Sequence, residues 1–317
     1  MTIILLLVGL GLIVLGADWL VDGASAIARK AGVSEFVIGL TIVGFGTSCP
    51  ELVVSLTGAI QGNADVSIGN VIGSNIFNAL FILGLTSLIM PVAMTDENRK
   101  RDIPITLAVT SILVLSGMSC TLFGIGDTDS LSRPEGMVFL LMFGAYLYIC
   151  FRFDSKDQAD MGGNKQLGLP LAIILAAAGL CGLIFGGSLF VDSATDLARS
   201  LGVSDKFIAI TILAGGTSFP ELATCIVAAA KHKDQLALGN ILGSNVFNIL
   251  LILGCSAVIT PLSFAGMSLV DVGILLVSCV MLLIWAYTGR KCRIDRWEGA
   301  VMLLAFAAYY FYLFVKL

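Results

Sequence analysis

Gly46-Thr47-Ser48-Cys49-Pro50-Glu51, followed downstream by Gly73-Ser74-Asn75-Ile76-Phe77-Asn78, is the stretch on which the reading of this chain turns. Both hexapeptides return as Gly216-Thr217-Ser218-Phe219-Pro220-Glu221 and Gly243-Ser244-Asn245-Val246-Phe247-Asn248, each displaced by 170 residues. Around them, residues 16–91 align with 186–261 without a gap, and 32 of the 76 positions are identical. That is an internal duplication. Each copy places a glutamate, Glu51 or Glu221, inside an otherwise apolar run.

The surroundings make those glutamates expensive. Of 317 residues, 57% are hydrophobic and only 13% charged, about half the charged share of a soluble domain. Mean hydropathy is +0.98. One soluble core cannot hide so much apolar surface. Alternating β-barrel patterning is absent, so the chain reads as an all-α polytopic membrane protein embedded in a lipid bilayer. Apolar runs at about 2–28, 34–60, 66–90, 103–123, 134–151, 167–198, 204–230, 236–260, 270–289 and 297–315 predict ten transmembrane helices. Several exceed the roughly 20 residues a bilayer needs, which predicts tilt or breaks. The first run has no basic residues before it and no small-residue cleavage site after it, and is read as a retained helix. Seven of the eight cysteines lie in apolar runs and none forms a Cys-x-x-Cys, so they read as small hydrophobes.

The repeat unit is five spans long. Five is odd, so the second copy enters the membrane from the opposite side: two inverted five-helix repeats, 1–152 and 167–317, joined by a short cytoplasmic linker at 153–166. The basic residues supply an independent test. With the amino terminus outside, 14 Lys and Arg fall in inner loops and 4 on the outer side, which predicts both termini extracytoplasmic.

Pro50 and Pro220 interrupt their spans. Proline lacks the backbone donor and clashes with the carbonyl four residues back, here Gly46 and Gly216, so each span is predicted to break near mid-membrane. Freed carbonyls at that depth need protein, water or an ion. Helical spacing groups Gly44, Thr47, Ser48 and Glu51 on one face, and Ala214, Thr217, Ser218 and Glu221 on another. Ser74 and Asn78 share a face of the next span, as do Ser244 and Asn248. All these donors are oxygens, the set that hard cations take, whereas softer metals prefer His and Cys. Two carboxylates match the charge of one Ca²⁺, and can instead hold Na⁺ or protons. A buried glutamate costs on the order of 2.5–3.5 kcal/mol at a helix centre, which argues for function at Glu51 and Glu221. The pairs Gly69/Gly73 and Gly239/Gly243 read as close-packing sites.

The remaining carboxylates read more plainly. Asp22 and Asp192, matched across the repeat, read as interfacial or pathway residues. Glu35 and Asp205 follow Ser34 and Ser204 and read as first-turn acids favoured by the helix dipole. His232 reads as a solvated loop residue. No nucleotide-binding loop, nucleic-acid patch or hydrolase constellation accompanies the glutamates, so the chain reads as a transporter and not an enzyme, with no cofactor, nucleotide or nucleic-acid partner.

At the doubled motif the chain resembles the sodium/calcium exchanger family of the cation/Ca²⁺ antiporter superfamily, prokaryotic type. The resemblance covers essentially the whole chain. It implies a secondary antiporter exchanging Ca²⁺ for Na⁺ by alternating access in a bacterial inner membrane, functional as a monomer. Glu51 and Glu221 would be the central ligands, with Thr47 and Thr217 giving oxygens to Ca²⁺. Ser48, Ser74, Ser218 and Ser244 would line flanking Na⁺ sites, joined by the carbonyls of Gly44 and Ala214, with Asn78 and Asn248 completing the middle. Some relatives, among them potassium-dependent exchangers, carry Asp where this chain has Asn248, so no K⁺ requirement is expected. The same scaffold coupled to H⁺ is the alternative.

Overall fold

The computed structural model describes residues 2–153, 167–202, 214–288 and 292–316. It is mainly helical. Thirteen helical pieces carry the described chain: α1 (Thr2–Ala31), α2 (Glu35–Thr47), α3 (Cys49–Ile60), α4 (Asp65–Ile89), α5 (Ile103–Gly117), α6 (Ser119–Phe123), α7 (Arg133–Arg152), α8 (Leu169–Ser200), α9 (Ala214–Gly216), α10 (Phe219–Ala230), α11 (Asp234–Ile259), α12 (Leu269–Thr288) and α13 (Arg296–Lys316). Among the described residues seven of these are long and apolar enough to cross a membrane, and eight if the bent pair α2–α3 is one span. Residues 154–166 of the expected linker, together with Ser204 and Asp205, lie outside the described residues.

α1 and α8 run antiparallel along each other, and the sequence spacing explains how closely. Gly9, Gly16 and Gly23 recur every seven residues on α1, two helical turns apart, so they form one stripe. They face Gly186, Gly179 and Ala172, which descend α8 at the same interval. A Cβ on Gly16 would sit 2.7 Å from the Gly179 carbonyl, and one on Gly179 would sit 2.5 Å from the Leu20 amide. Backbone meets backbone along this seam, which only small residues permit. Away from the seam, Ile3, Ile4 and Leu7 of α1 and Leu171, Ile174 and Phe185 of α8 are exposed, as a lipid-facing surface would be.

α4 and α11 are instead largely enclosed. α13 packs on α4 through Gly84 and Gly299, while α7 packs on α11 through Gly254 and Gly136. Gly84 and Gly254 are matched positions across the duplication, so α13 meets α4 at the place where α7 meets α11. Two short antiparallel pairings tie the connecting loops: β1 (Val92–Ala93) with β4 (Arg293–Ile294), and β2 (Ser130–Leu131) with β3 (Leu262–Ser263). Glu135 closes a capping box on Ser132 at the start of α7.

Candidate cation site

The proline segments break, but not where the ring clash alone predicts. The bend between α2 and α3 is 49° and falls at Ser48, two residues before Pro50. Pro50 then occupies the first turn of α3, where a missing amide costs nothing. The second copy does the same: α9 ends at Gly216, Thr217 and Ser218 form the turn, and Pro220 opens α10. Each break puts a serine at the corner and its glutamate in the first turn after it.

The two corners exchange partners. Ser48 Oγ donates to Glu221 Oε1 at 3.0 Å, and Ser218 Oγ donates to Glu51 Oε1 at 3.0 Å. Ser74 Oγ adds a longer contact to Glu51 Oε1 at 3.5 Å. Both glutamates are only 1% exposed. Thr47 is buried, with Oγ1 3.0 Å from the Val43 carbonyl. Ser244 Oγ donates to the Gly44 carbonyl at 3.4 Å, and that carbonyl also takes the Ser48 amide at 3.1 Å, so it is not a freed oxygen. The α9 piece packs near α4, where a Cβ on Gly215 would lie 3.5 Å from the Phe77 ring. No interaction of Ala214 itself joins the cluster among the described residues.

Asn78 and Asn248 lie just inside π-helical turns, Phe77–Ile82 and Phe247–Leu253, features that often mark functional sites and that periodicity does not reveal. Two residues outside the i, i+4 grouping hold them. Asn78 Nδ2 donates to Asn245 Oδ1 at 3.2 Å, Asn248 Nδ2 donates to Asn75 Oδ1 at 2.9 Å, and Asn75 Nδ2 donates to the Asn245 carbonyl at 3.1 Å. Asn75 and Asn245 are identical in both copies and three residues before Asn78 and Asn248; that repeated identity is their signal in the sequence. Asn70 is another such residue. Its Nδ2 donates to the Glu51 carbonyl at 3.2 Å and to Ser55 Oγ at 3.0 Å, bracing the first turns of α3.

With these donors committed, five oxygens of the cluster lack hydrogen-bond partners among the described residues: Glu51 Oε2, Glu221 Oε2, Asn78 Oδ1, Asn248 Oδ1 and Thr217 Oγ1. Buried polar atoms in that condition are costly, and a cation satisfies several at once. The donor set is oxygen alone, and no group of three or more His, Cys, Asp or Glu is placed to hold a metal among the described residues. It therefore suits a hard cation held by two carboxylates and neutral oxygens.

The outlying candidates resolve differently. Asp22 pairs with Lys231 at 2.6 Å, and Asp18 joins it at 2.7 Å, tying α1 to the turn before α11. Asp192 is exposed. Ser34 caps α2 through the Val37 amide at 3.1 Å, and Glu35 in that first turn also pairs with Lys233 at 2.6 Å. His232 lies in its loop with Nδ1 3.0 Å from Met90 Sδ. Gly239 and Gly243 are close-packed, their Cβ positions 2.3 and 2.4 Å from the Phe36 and Leu40 carbonyls. Gly69 and Gly73 have no such backbone neighbour among the described residues.

Residues 1–152 and 171–315 match the family model described as sodium/calcium exchanger protein. A putative antiporter, CaxA, from Alkalimonas amylolytica is 38% identical over 98% of both chains. The sodium/calcium exchanger MaX1 of Methanosarcina acetivorans is 34% identical, again over 98% of each. Among solved structures, the sodium-calcium exchanger NCX_Mj soaked with 2.5 mM Na⁺ and 0.1 mM Ca²⁺ superposes with a TM-score of 0.82 at 32% identity, covering 97% of this chain and 96% of that one. With its doubled oxygen-donor motif and a family match running nearly end to end, this membrane chain belongs to the sodium/calcium exchanger family.

Proposed function

We propose that the chain is a secondary antiporter that moves Ca²⁺ one way and Na⁺ the other through one oxygen cage around Glu51 and Glu221. The observation that carries this reading is the reciprocal bonding of Ser48 with Glu221 and Ser218 with Glu51, which leaves one oxygen on each carboxylate without a partner among the described residues. Ca²⁺ would take those two oxygens with the Thr47 and Thr217 hydroxyls. Na⁺ would sit beside Ser48 and Ser74 on one flank and Ser218 and Ser244 on the other. Asn78 and Asn248 would close the middle. Two carboxylates cannot neutralise Ca²⁺ and a full set of Na⁺ together, so one ion displaces the other, which is the basis of exchange.

The architecture we assign is ten spans in two inverted repeats, both termini outside, working as a monomer in a bacterial inner membrane. The antiparallel α1–α8 pair and the matched packing of α7 on α11 and α13 on α4 support the inverted-repeat part of this assignment. The bent segments with α4 and α11 form the ion-binding core. α1 and α8 slide or rock against that core to alternate access. No K⁺ is required, since Asn248 brings no third charge.

Flux of ⁴⁵Ca²⁺ into vesicles holding the full chain, under separately imposed Na⁺, K⁺ and H⁺ gradients, tests the reading. Uptake driven by the Na⁺ gradient alone is expected. Uptake driven by a pH gradient without Na⁺ would replace Na⁺ with H⁺ as the counter-ion, and no uptake under any gradient would reject the antiporter.

A further inference from the structure

Thr47 and Thr217 hold equal places in the two copies, yet their hydroxyls are treated differently. Thr217 Oγ1 has no hydrogen-bond partner among the described residues. Thr47 Oγ1 has three acceptors in reach: the Val43 carbonyl at 3.0 Å, the Gly44 carbonyl at 3.4 Å and Asn240 Oδ1 at 3.1 Å. A hydroxyl carries one proton and two lone pairs, so whichever acceptor takes the proton also sets where the lone pairs turn.

Asn240 reaches Thr47 from α11, 193 residues away, and is fully enclosed. Its amide is itself anchored. Asn240 Nδ2 donates to Cys225 Sγ at 3.3 Å, and the Cys225 thiol faces the Ala237 carbonyl at 3.7 Å. The polarity runs one way: thiol to carbonyl, amide to sulfur, Thr47 hydroxyl to amide oxygen. The matched residues of the first copy make another network. There Asn70 donates to Ser55, the position matched to Cys225, and to the Glu51 carbonyl, and none of these contacts touches Thr217.

We propose that Asn240 is a positioning residue for Thr47. By drawing the hydroxyl proton to its own oxygen, it holds the Thr47 lone pairs free for the cation that Glu51 and Glu221 bind, and so raises Ca²⁺ affinity from one copy only. Without it, the proton falls back on the Val43 or Gly44 carbonyl of its own helix, and the lone pairs rotate about the Cβ–Oγ1 bond. This role rests on the exchange reading above, because it supposes that Thr47 faces Ca²⁺.

A double-mutant cycle in vesicles holding the full chain tests it, with the KM for Ca²⁺ and for Na⁺ read separately. Asn240→Leu and Thr47→Val, both close in size to the originals, should each raise the Ca²⁺ KM roughly two- to tenfold, the worth of one neutral hydrogen bond, and leave the Na⁺ KM within about twofold. The double variant should be no worse than the poorer single, since both remove one interaction. Cys225→Val keeps both partners and removes only the anchor, so a smaller rise in the Ca²⁺ KM is expected, and it carries the test should Asn240→Leu fail to fold. Multiplying effects in the double variant, or Ca²⁺ and Na⁺ constants rising together, overturn the role. Glu51→Gln is the control: if it leaves exchange intact, the exchange reading itself fails, whereas lost exchange beside a multiplicative cycle removes only Asn240.

Discussion

The α1–α8 seam and the carboxylate cluster are built from opposite materials. Along the seam, Gly9, Gly16 and Gly179 bring backbone against backbone and no side chain specifies a partner. In the cluster, Ser48, Ser218, Asn75 and Asn245 assign nearly every donor to a particular acceptor in the other copy. A seam of small residues fixes how near two helices come but penalises a shift along their axes little. A web of directed hydrogen bonds penalises any shift. Under the proposed function the two regions would divide the labour: the cluster would choose the ion, and the seam would set how fast the protein turns over.

That division is tested hardest at the carboxylates. Glu221→Gln or Glu51→Gln removes one of two charges facing a divalent ion, and Na⁺-driven ⁴⁵Ca²⁺ uptake should fall by about 100-fold or more, because ligand charge count governs such sites. Unchanged flux in both variants would remove the cluster from transport altogether.

Next comes the seam. Gly16→Leu puts a side chain where even a Cβ meets the Gly179 carbonyl at 2.7 Å. Turnover for Ca²⁺ and Na⁺ should drop together by about tenfold or more, with equilibrium Ca²⁺ binding near the parent value, as for a slowed conformational step. Calcium binding measured by calorimetry beside vesicle flux checks this; weakened binding with normal turnover would erase the distinction between the two regions.

Asn78→Ala belongs to the cluster but should have a smaller effect. It removes one oxygen that lacks a partner among the described residues, and the Ca²⁺ KM should rise by about three- to tenfold. The smallest effect is expected at the ion pairs that tie α1 to the turn before α11. Lys231 pairs with Asp18 and Asp22 of α1, but all three side chains are part-exposed, and such pairs are worth little. Lys231→Gln should change turnover by less than about threefold, and the difference should shrink further as salt screens the parent pair. A larger, salt-resistant change would make this contact a structural part of the seam.

Much of the site is legible in the residues alone. Glu51 and Glu221 stand out because each breaks an apolar run, and the 170-residue offset makes them a pair. The proline segments foretell the breaks, though the corner comes at Ser48, since a proline fits best in the first turn of the next helix and the chain turns before it. Asn75 and Asn245 escape a grouping drawn on i, i+4 spacing alone, which joins Ser74 to Asn78 and passes over the three residues between; the i, i+3 spacing from Asn75 to Asn78 and the repeat of Asn75 in the second copy are the signals that include it. The π turns at Phe77–Ile82 and Phe247–Leu253 leave no signal in the hydrophobic period.

The sequence alone dictates the membrane character, the duplication, the choice of oxygen donors and the pair of glutamates at their centre, because composition, repeat identity and helical spacing are local quantities. Only tertiary packing decides that Ser48 serves Glu221 and Ser218 serves Glu51, that Asn240 reaches Thr47, and which oxygens remain without partners among the described residues. Those are hydrogen bonds between residues more than 160 positions apart, and their partners exist only once the two copies are packed against each other.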